Sequence, residues 1–210
     1  EHASVSEPLR ALGAEGVKIV EIPTAGGVLD REALLREMTP DVVLVTMMLV
    51  NNETGALYDL ADVSRLMKEK SPEAVLHVDA TQGYLKVPFT PKSLGADMIT
   101  LSSHKIEGPK GVGALYVSSD LIKKRGLSAQ ILGGGQEGGL RSGTENVPGV
   151  AAFATAATMG AKNFAAHAEV MESLRAYLLA RLSEEPGLSG IRPVLPARHA
   201  PHILNLTLPK

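Results

Sequence analysis

Ala74-Val75-Leu76-His77-Val78-Asp79-Ala80-Thr81-Gln82 decides the fold, because a short apolar run breaks there abruptly into polar residues. Such a run, rich in β-branched side chains, reads as a strand within a sheet core. The polar residues mark where the chain leaves that core. The same arrangement recurs on both sides. Val42–Thr46 is a continuous apolar and β-branched run, the pattern of a strand buried on both faces, and Asn51-Asn52-Glu53 follows it. Asp97–Leu101 is another strand, followed by Ser102-Ser103-His104-Lys105. Between the first two, Asp59 precedes Leu60, Val63, Leu66 and Met67 at helical spacing. Short strands separated by helical stretches predict an α/β fold, a mostly parallel sheet with helices on both faces.

Further out, Val17–Ile22 is a strand candidate closed by Pro23 and the Gly26–Gly27 turn. Asp30 caps a helix carrying Leu34, Leu35 and Met38 that ends before Pro40. Gly113–Val117 is a strand, and the Gly108–Gly113 connection is too short for a helical crossover, so it is expected to run antiparallel. Past the Gly133–Gly139 loop, Val150, Phe153, Ala154, Ala157 and Ala161 mark one helix. Val170, Leu174, Tyr177, Leu178 and Leu182 mark another or its continuation. Gly187–Pro201 reads as loop and Ile203–Leu208 as a last strand. A domain transition is expected near residue 165, giving a larger unit at 1–165 and the start of a smaller α+β unit at 166–210.

The bulk numbers narrow the function classes. The chain has 210 residues, 44% apolar and 21% charged, with a formal net charge of −2. This is a globular composition, and near-neutrality gives no electrostatic reason for a nucleic-acid or anionic-membrane partner. There is no cysteine. Disulfides, thiolate-held metals and thiol nucleophiles are thereby excluded within these residues. No apolar run reaches the ~20 residues that span a bilayer and no signal peptide is visible, so a cytoplasmic location is the expectation. A start at Glu1 without Met and a stop just after a strand read as a segment cut from a longer polypeptide.

In a sheet of this kind ligands sit beyond the carboxyl ends of the strands. Lys105 falls there, and a partly desolvated lysine can act as a nucleophile or Schiff-base donor; a lone lysine is otherwise a surface residue. Asp79 is a carboxylate that needs a partner where it stands. A pyridoxal ring nitrogen suits it, and so does a helix cap or a salt bridge. Ser102, His104 and Thr144 can hold a phosphate or serve as ordinary turn hydrogen bonders. Gln82 and Asn51 can meet a ring oxygen or a substrate carboxylate. His2 either stacks on an aromatic cofactor or frays at the terminus. The Gly133-Gly134-Gly135-Gln136-Glu137-Gly138-Gly139 loop lacks both the dinucleotide spacing and a Walker lysine, and reads as a mobile or interface loop.

Six pieces in order carry a family resemblance. They are Glu1-His2, Met48-Leu49-Val50-Asn51-Asn52-Glu53-Thr54-Gly55, His77-Val78-Asp79-Ala80-Thr81-Gln82, Ser102-Ser103-His104-Lys105-Ile106, Gly108-Pro109-Lys110-Gly111, and Gly133-Gly134-Gly135-Gln136-Glu137 running into Arg141-Ser142-Gly143-Thr144-Glu145-Asn146. Over essentially its whole length the chain resembles the cysteine desulfurase and selenocysteine lyase group of fold-type I pyridoxal-phosphate enzymes. The resemblance implies the large domain of that transferase fold, with pyridoxal 5'-phosphate held covalently by Lys105, which also moves protons at the substrate carbon. It implies Asp79 on the pyridinium nitrogen, Gln82 on the ring hydroxyl oxygen, and His2 stacked on the ring and assisting acid–base steps. Ser102 and His104 are implied on the phosphate, Asn51 on the substrate carboxylate, and Thr144 on the phosphate of the neighbouring subunit in a homodimer.

The implied reaction turns L-cysteine into alanine while sulfur passes to an enzyme cysteine as a persulfide, for iron–sulfur cluster biosynthesis or tRNA sulfur supply through an acceptor protein. That cysteine and a substrate-binding arginine are expected beyond Lys210, and a phosphate-binding loop before Glu1. Three positions depart from relatives: Gly138 stands where many carry arginine, Leu49 where some carry histidine and Ser103 where some carry glycine. Leu49, Gln136 and Thr144-Glu145-Asn146 also suit a selenocysteine lyase. An aminotransferase or an inactive homologue of the same fold are the remaining readings.

Overall fold

The computed structural model describes residues 1–124 and 126–209. Its centre is a sheet of four strands: β3 (Leu44–Met48), β4 (Val75–Asp79), β5 (Met98–Ser102) and β6 (Gly113–Val117), in that spatial order. β3–β4 and β4–β5 are parallel, whereas β5–β6 is antiparallel with Ser102 opposite Gly113, as the short connection requires. Two small antiparallel ladders flank it. β1 (Thr24–Ala25) pairs β2 (Val28–Leu29) across Gly26 and Gly27, whose φ values of 58° and 78° give the positive-φ turn that suits a tight hairpin. β7 (Arg192–Val194) pairs β8 (Asn205–Thr207) near the other end.

Local chemistry sets the helices. α1 (Ala3–Ala14) begins at His2, α2 (Arg31–Glu37) at Asp30 and α3 (Leu60–Lys70) at Asp59. Asp30 accepts from the Ala33 N–H at 2.9 Å and Asp59 from the Asp62 N–H at 3.2 Å, each satisfying a first-turn donor. α4 (Pro91–Leu94) is one turn, closed by a reciprocal Thr90–Ser93 capping box and ended by Gly95 at φ 64°. α5 (Ser119–Lys123) follows β6. α6 (Val147–Lys162) and α7 (Phe164–Glu184) are separated by a break at Asn163.

The core lies on one sheet face, where alternate strand residues Leu76, Val78 and Ile99 meet Leu60, Val63, Leu66 and Met67 of α3. Burying each of the larger side chains fully contributes about 1.5–3 kcal/mol. On the opposite face α1 borders a shallow groove with Leu44, Thr46, His77 and Met98, so helices do cover both faces. Asp97 fixes the start of β5 against β4, its Oδ2 accepting from the Leu76 N–H at 2.9 Å. Among the described residues no helix is long and apolar enough to cross a membrane.

Several expectations change. Val17–Ile22 forms no strand: Val17 and Val20 stay exposed and no ladder engages the segment among the described residues. Val42–Thr46 is not buried on both faces. The strand begins at Leu44 on the edge of the sheet, with Leu44 39% and Val43 72% exposed, because among the described residues no strand is paired on its outer side. The supposed loop at 187–201 contains β7, which gives the last strand the partner its backbone needs.

Candidate active site at the carboxyl ends of the strands

The parallel strands deliver their polar ends to one place. Asp79 closes β4 and Ser102 closes β5, and the next residues form a turn of 3-10 helix, Ser103–Ile106, that carries Lys105. Glu107 ends this turn in the left-handed region at φ 67°, a conformation that costs a non-glycine residue energy and fixes the direction of exit. Ser103 is fully buried, and its Oγ would lie 2.1 Å from any Cβ placed on Gly108. The serine therefore fills the space that Gly108 leaves open, and the Gly108 N–H donates to Ser103 O at 3.1 Å across the turn.

Asp79 is only 8% exposed. One oxygen, Oδ1, accepts from the Thr81 N–H at 2.9 Å, and among the described residues no cation pairs with the carboxylate. Glu1 stands close on the same side, its Oε1 accepting from the Met48 N–H at 2.7 Å. Burial pushes the Glu1 carboxyl above its usual range, the Met48 bond opposes that shift, and the Asp79 charge adds to it. Two carboxylates with so little compensation call for a positive partner. On the same strand face His77 bridges Thr46 Oγ1 at 2.7 Å and Thr100 Oγ1 at 3.3 Å. Burial lowers its pKa and Asp79 partly restores it.

Lys105 and His104 are exposed. The expected partial desolvation of Lys105 is not met, because the short turn carries it outward from the strand end. His2 does not fray: its Nδ1 accepts from the Ser4 N–H at 3.1 Å and caps α1. Asn51 is occupied on one side only. Its Oδ1 accepts from Glu53 N, Thr54 N and Thr54 Oγ1 at 2.8–3.0 Å, closing the loop after β3, while among the described residues Nδ2 has only the weak acceptor Met48 Sδ. The amide donor is thus the part free for other work.

Thr144 is exposed, two residues before Asn146, whose Oδ1 caps α6 through the Gly149 N–H at 3.1 Å. α6 packs against the Ser103–Ile106 turn, so the start of that helix is tied to the strand-end cluster. Gln136 Oε1 accepts from the Gly143 N–H at 3.1 Å and fastens the glycine-rich loop to the Arg141–Asn146 segment. The fold adds one residue that the sequence reading missed. His202 reaches Gln82 from 120 positions away, with Nε2 3.4 Å from Oε1. A cleft between α3 and α4 and another beneath α1 do not include Lys105.

The sequence pattern of aminotransferase class-V enzymes matches residues 1–210. The chain belongs to this family. Its place among the fold-type I pyridoxal-phosphate enzymes related to cysteine desulfurases follows from the same match. It is 36% identical over 208 residues to "Cysteine desulfurase IscS" of Anaeromyxobacter dehalogenans (strain 2CP-C), covering 99% of this chain and 50% of that protein. Among solved structures, a "NifS-like protein" shares 36% identity at a TM-score of 0.87, covering 96% of this chain and 53% of that one. "SspA in complex with cysteine" shares 33% identity at a TM-score of 0.70, covering 75% and 45%. This class-V chain thus spans about half the length of the curated relatives it matches.

The residues fit the family's cofactor on their own chemistry. A buried carboxylate with no cation partner among the described residues closes one strand, and a serine hydroxyl and a lysine follow at the end of the next, the groups that a cationic ring nitrogen, a phosphate and an aldehyde require.

Proposed function

We propose that the protein is a pyridoxal-phosphate-dependent cysteine desulfurase that converts L-cysteine to L-alanine and passes the sulfur on as a persulfide. The observation that carries this reading is the buried, cation-free Asp79 at the end of β4 with Lys105 just beyond the end of the neighbouring β5. The bound cofactor supplies an electron sink for the electrons of the substrate carbon.

The chain's own residues then have separable tasks. Lys105 Nζ holds the cofactor and carries a proton to and from the substrate carbon. Asp79 keeps the ring nitrogen protonated. Gln82 meets the ring oxygen, Ser102 and His104 bind phosphate, and Asn51 turns its free Nδ2 toward the substrate carboxylate. His2, fixed by its capping bond, presents its ring to the cofactor and assists proton movement. The sulfur needs a thiolate to receive it, and none of these 210 residues is cysteine, so that group comes from outside them.

A homodimer completes the site, with Thr144 reaching the neighbouring phosphate. Ile131, Leu132 and Leu140 flank the glycine-rich loop and are 49%, 83% and 38% exposed, which suits an apolar contact between protomers. Residues 1–165 form the cofactor-binding part and 166–210 begin the smaller domain; the helix break at Asn163 supports a division there. The setting is cytoplasmic, with a protein acceptor feeding iron–sulfur clusters or tRNA modification. A selenocysteine lyase, with which Leu49, Gln136 and Thr144-Glu145-Asn146 are compatible, is the second reading; of these, Leu49 is 3% exposed within the core and reports packing.

The test is alanine formation from L-cysteine by the protein expressed at the full length of its gene, loaded with pyridoxal phosphate and given a thiol reductant. Steady alanine with matching sulfide is expected. Cofactor-loaded protein that acts on selenocysteine but gives no alanine from cysteine would overturn the desulfurase reading.

A further inference from the structure

The His202–Gln82 pair is not accounted for by any role assigned above. His202 lies in the turn before β8, on a segment clamped from two sides. The Ala200 N–H donates to Gly55 O at 2.8 Å and the Leu57 N–H to Arg198 O at 2.9 Å, while buried Arg175 of α7 donates to Ile203 O. Gly55 lets the two backbones approach closely, since a Cβ there would lie 2.9 Å from Ile203 O. The imidazole is therefore delivered to Gln82 by a rigid support.

Its two nitrogens have unequal surroundings. Nε2 lies 3.4 Å from Gln82 Oε1, whereas Nδ1 is buried and, among the described residues, has no partner. Burial, with the charges of Lys86 and Lys105 nearby, lowers the His202 pKa to about 4. The ring is neutral near pH 7 and carries a single N–H. On Nδ1 that proton would be a buried donor with no acceptor; on Nε2 it meets Gln82 Oε1. With its oxygen turned to His202, the amide has only its NH2 to offer in the other direction.

We propose that His202 is a positioning residue that fixes the Gln82 amide with its NH2 toward the cofactor's ring oxygen, so that Gln82 acts there only as a donor. The inference rests on the cofactor reading above. A fixed donor stabilises negative charge on the ring oxygen and loosens its hold on the proton shared within the bound chromophore.

The experiment is a pH titration of the visible absorbance of the full-length holoenzyme without substrate. His202→Phe and His202→Leu, made together so that a folding failure of one leaves the other to decide, are expected to raise the midpoint by about half to one pH unit. His202→Gln, whose amide can still donate from the Nε2 position, returns it toward the wild-type value. Gln82→Ala shows the same upward shift, and adding His202→Phe to it shifts the midpoint no further. An unmoved midpoint in His202→Phe or His202→Leu overturns the proposal, as does a shift in His202→Gln equal to theirs. A wild-type protein that binds no cofactor shows instead that the cofactor reading itself has failed, and this is seen before any variant is compared.

Discussion

Asp79 and Thr144 stand at opposite extremes of the same candidate site. Around Asp79 the chain is sheet interior: Val78 and Ala80 are fully buried, the Ala80 N–H bonds Thr100 O at 3.1 Å, and the Leu49 N–H bonds Asp79 O at 2.9 Å. Around Thr144 the chain is surface loop, with Leu132 83% exposed, consecutive positive φ values at Glu137, Gly138 and Gly139, and the Gln136 side chain as a strap. One region is assembled by the protomer's own core. The other is shaped by its own strap but exposed. On the proposed function, cofactor electronics fall to the rigid half and completion of the site to association.

The largest effect should come from the lysine. Lys105→Ala is expected to cut alanine formation about 1000-fold or more, and borohydride should no longer fix the cofactor to the chain. The melting temperature of the cofactor-free protein should hardly move, because Lys105 is exposed. A large loss of apo stability would show that the Ser103–Ile106 turn depends on that side chain.

On the rigid side, Leu76→Ala empties a position only 1% exposed and should cost about 2–5 kcal/mol in chemical denaturation. Leu132→Ser on the loop should cost a folded protomer less than about 0.5 kcal/mol yet weaken dimerisation in sedimentation runs. Equal effects of the two on protomer stability would erase the contrast between the regions.

Thr144→Ala should weaken pyridoxal-phosphate binding by about tenfold, roughly the loss of one hydrogen bond to a charged group. Heterodimers of Lys105→Ala with Thr144→Ala sharpen the point. They should hold one intact site and recover there the wild-type cofactor affinity that the Thr144→Ala homodimer lacks. No recovery would place Thr144 on its own protomer's phosphate.

The smallest effect concerns pH. His202 has a folded pKa of about 4 against an ordinary 6.5, and His77 is lowered as well. The unfolded chain binds more protons in that window, so stability is complete above about pH 6.5 and declines as pH falls toward 4. His202→Gln should flatten that slope in urea titrations. A slope unchanged by the substitution would mean that His202 is not buried in the neutral form.

Much of this was legible along the chain. The three strand-to-polar transitions located the site, with strand ends displaced by one or two residues, and the Asp30 and Asp59 caps and the antiparallel β6 were readable from local chemistry. Val17–Ile22 misled because apolar character marks a strand only where a neighbour exists to pair with it. β3 misled because burial on both faces depends on what lies beyond its edge.

The sequence by itself determined the identities and order of Asn51, Asp79, Lys105 and Thr144, and the local bonds that begin α2 and α3, because these depend on residues at most a few positions apart. Only the tertiary structure decided that Asp79 is buried without a cation, that Lys105 stands exposed, and that His202 meets Gln82. Burial and pairing are properties of what the folded chain brings next to a side chain, and a hydrogen bond across 120 positions leaves no periodicity or spacing by which it could be read.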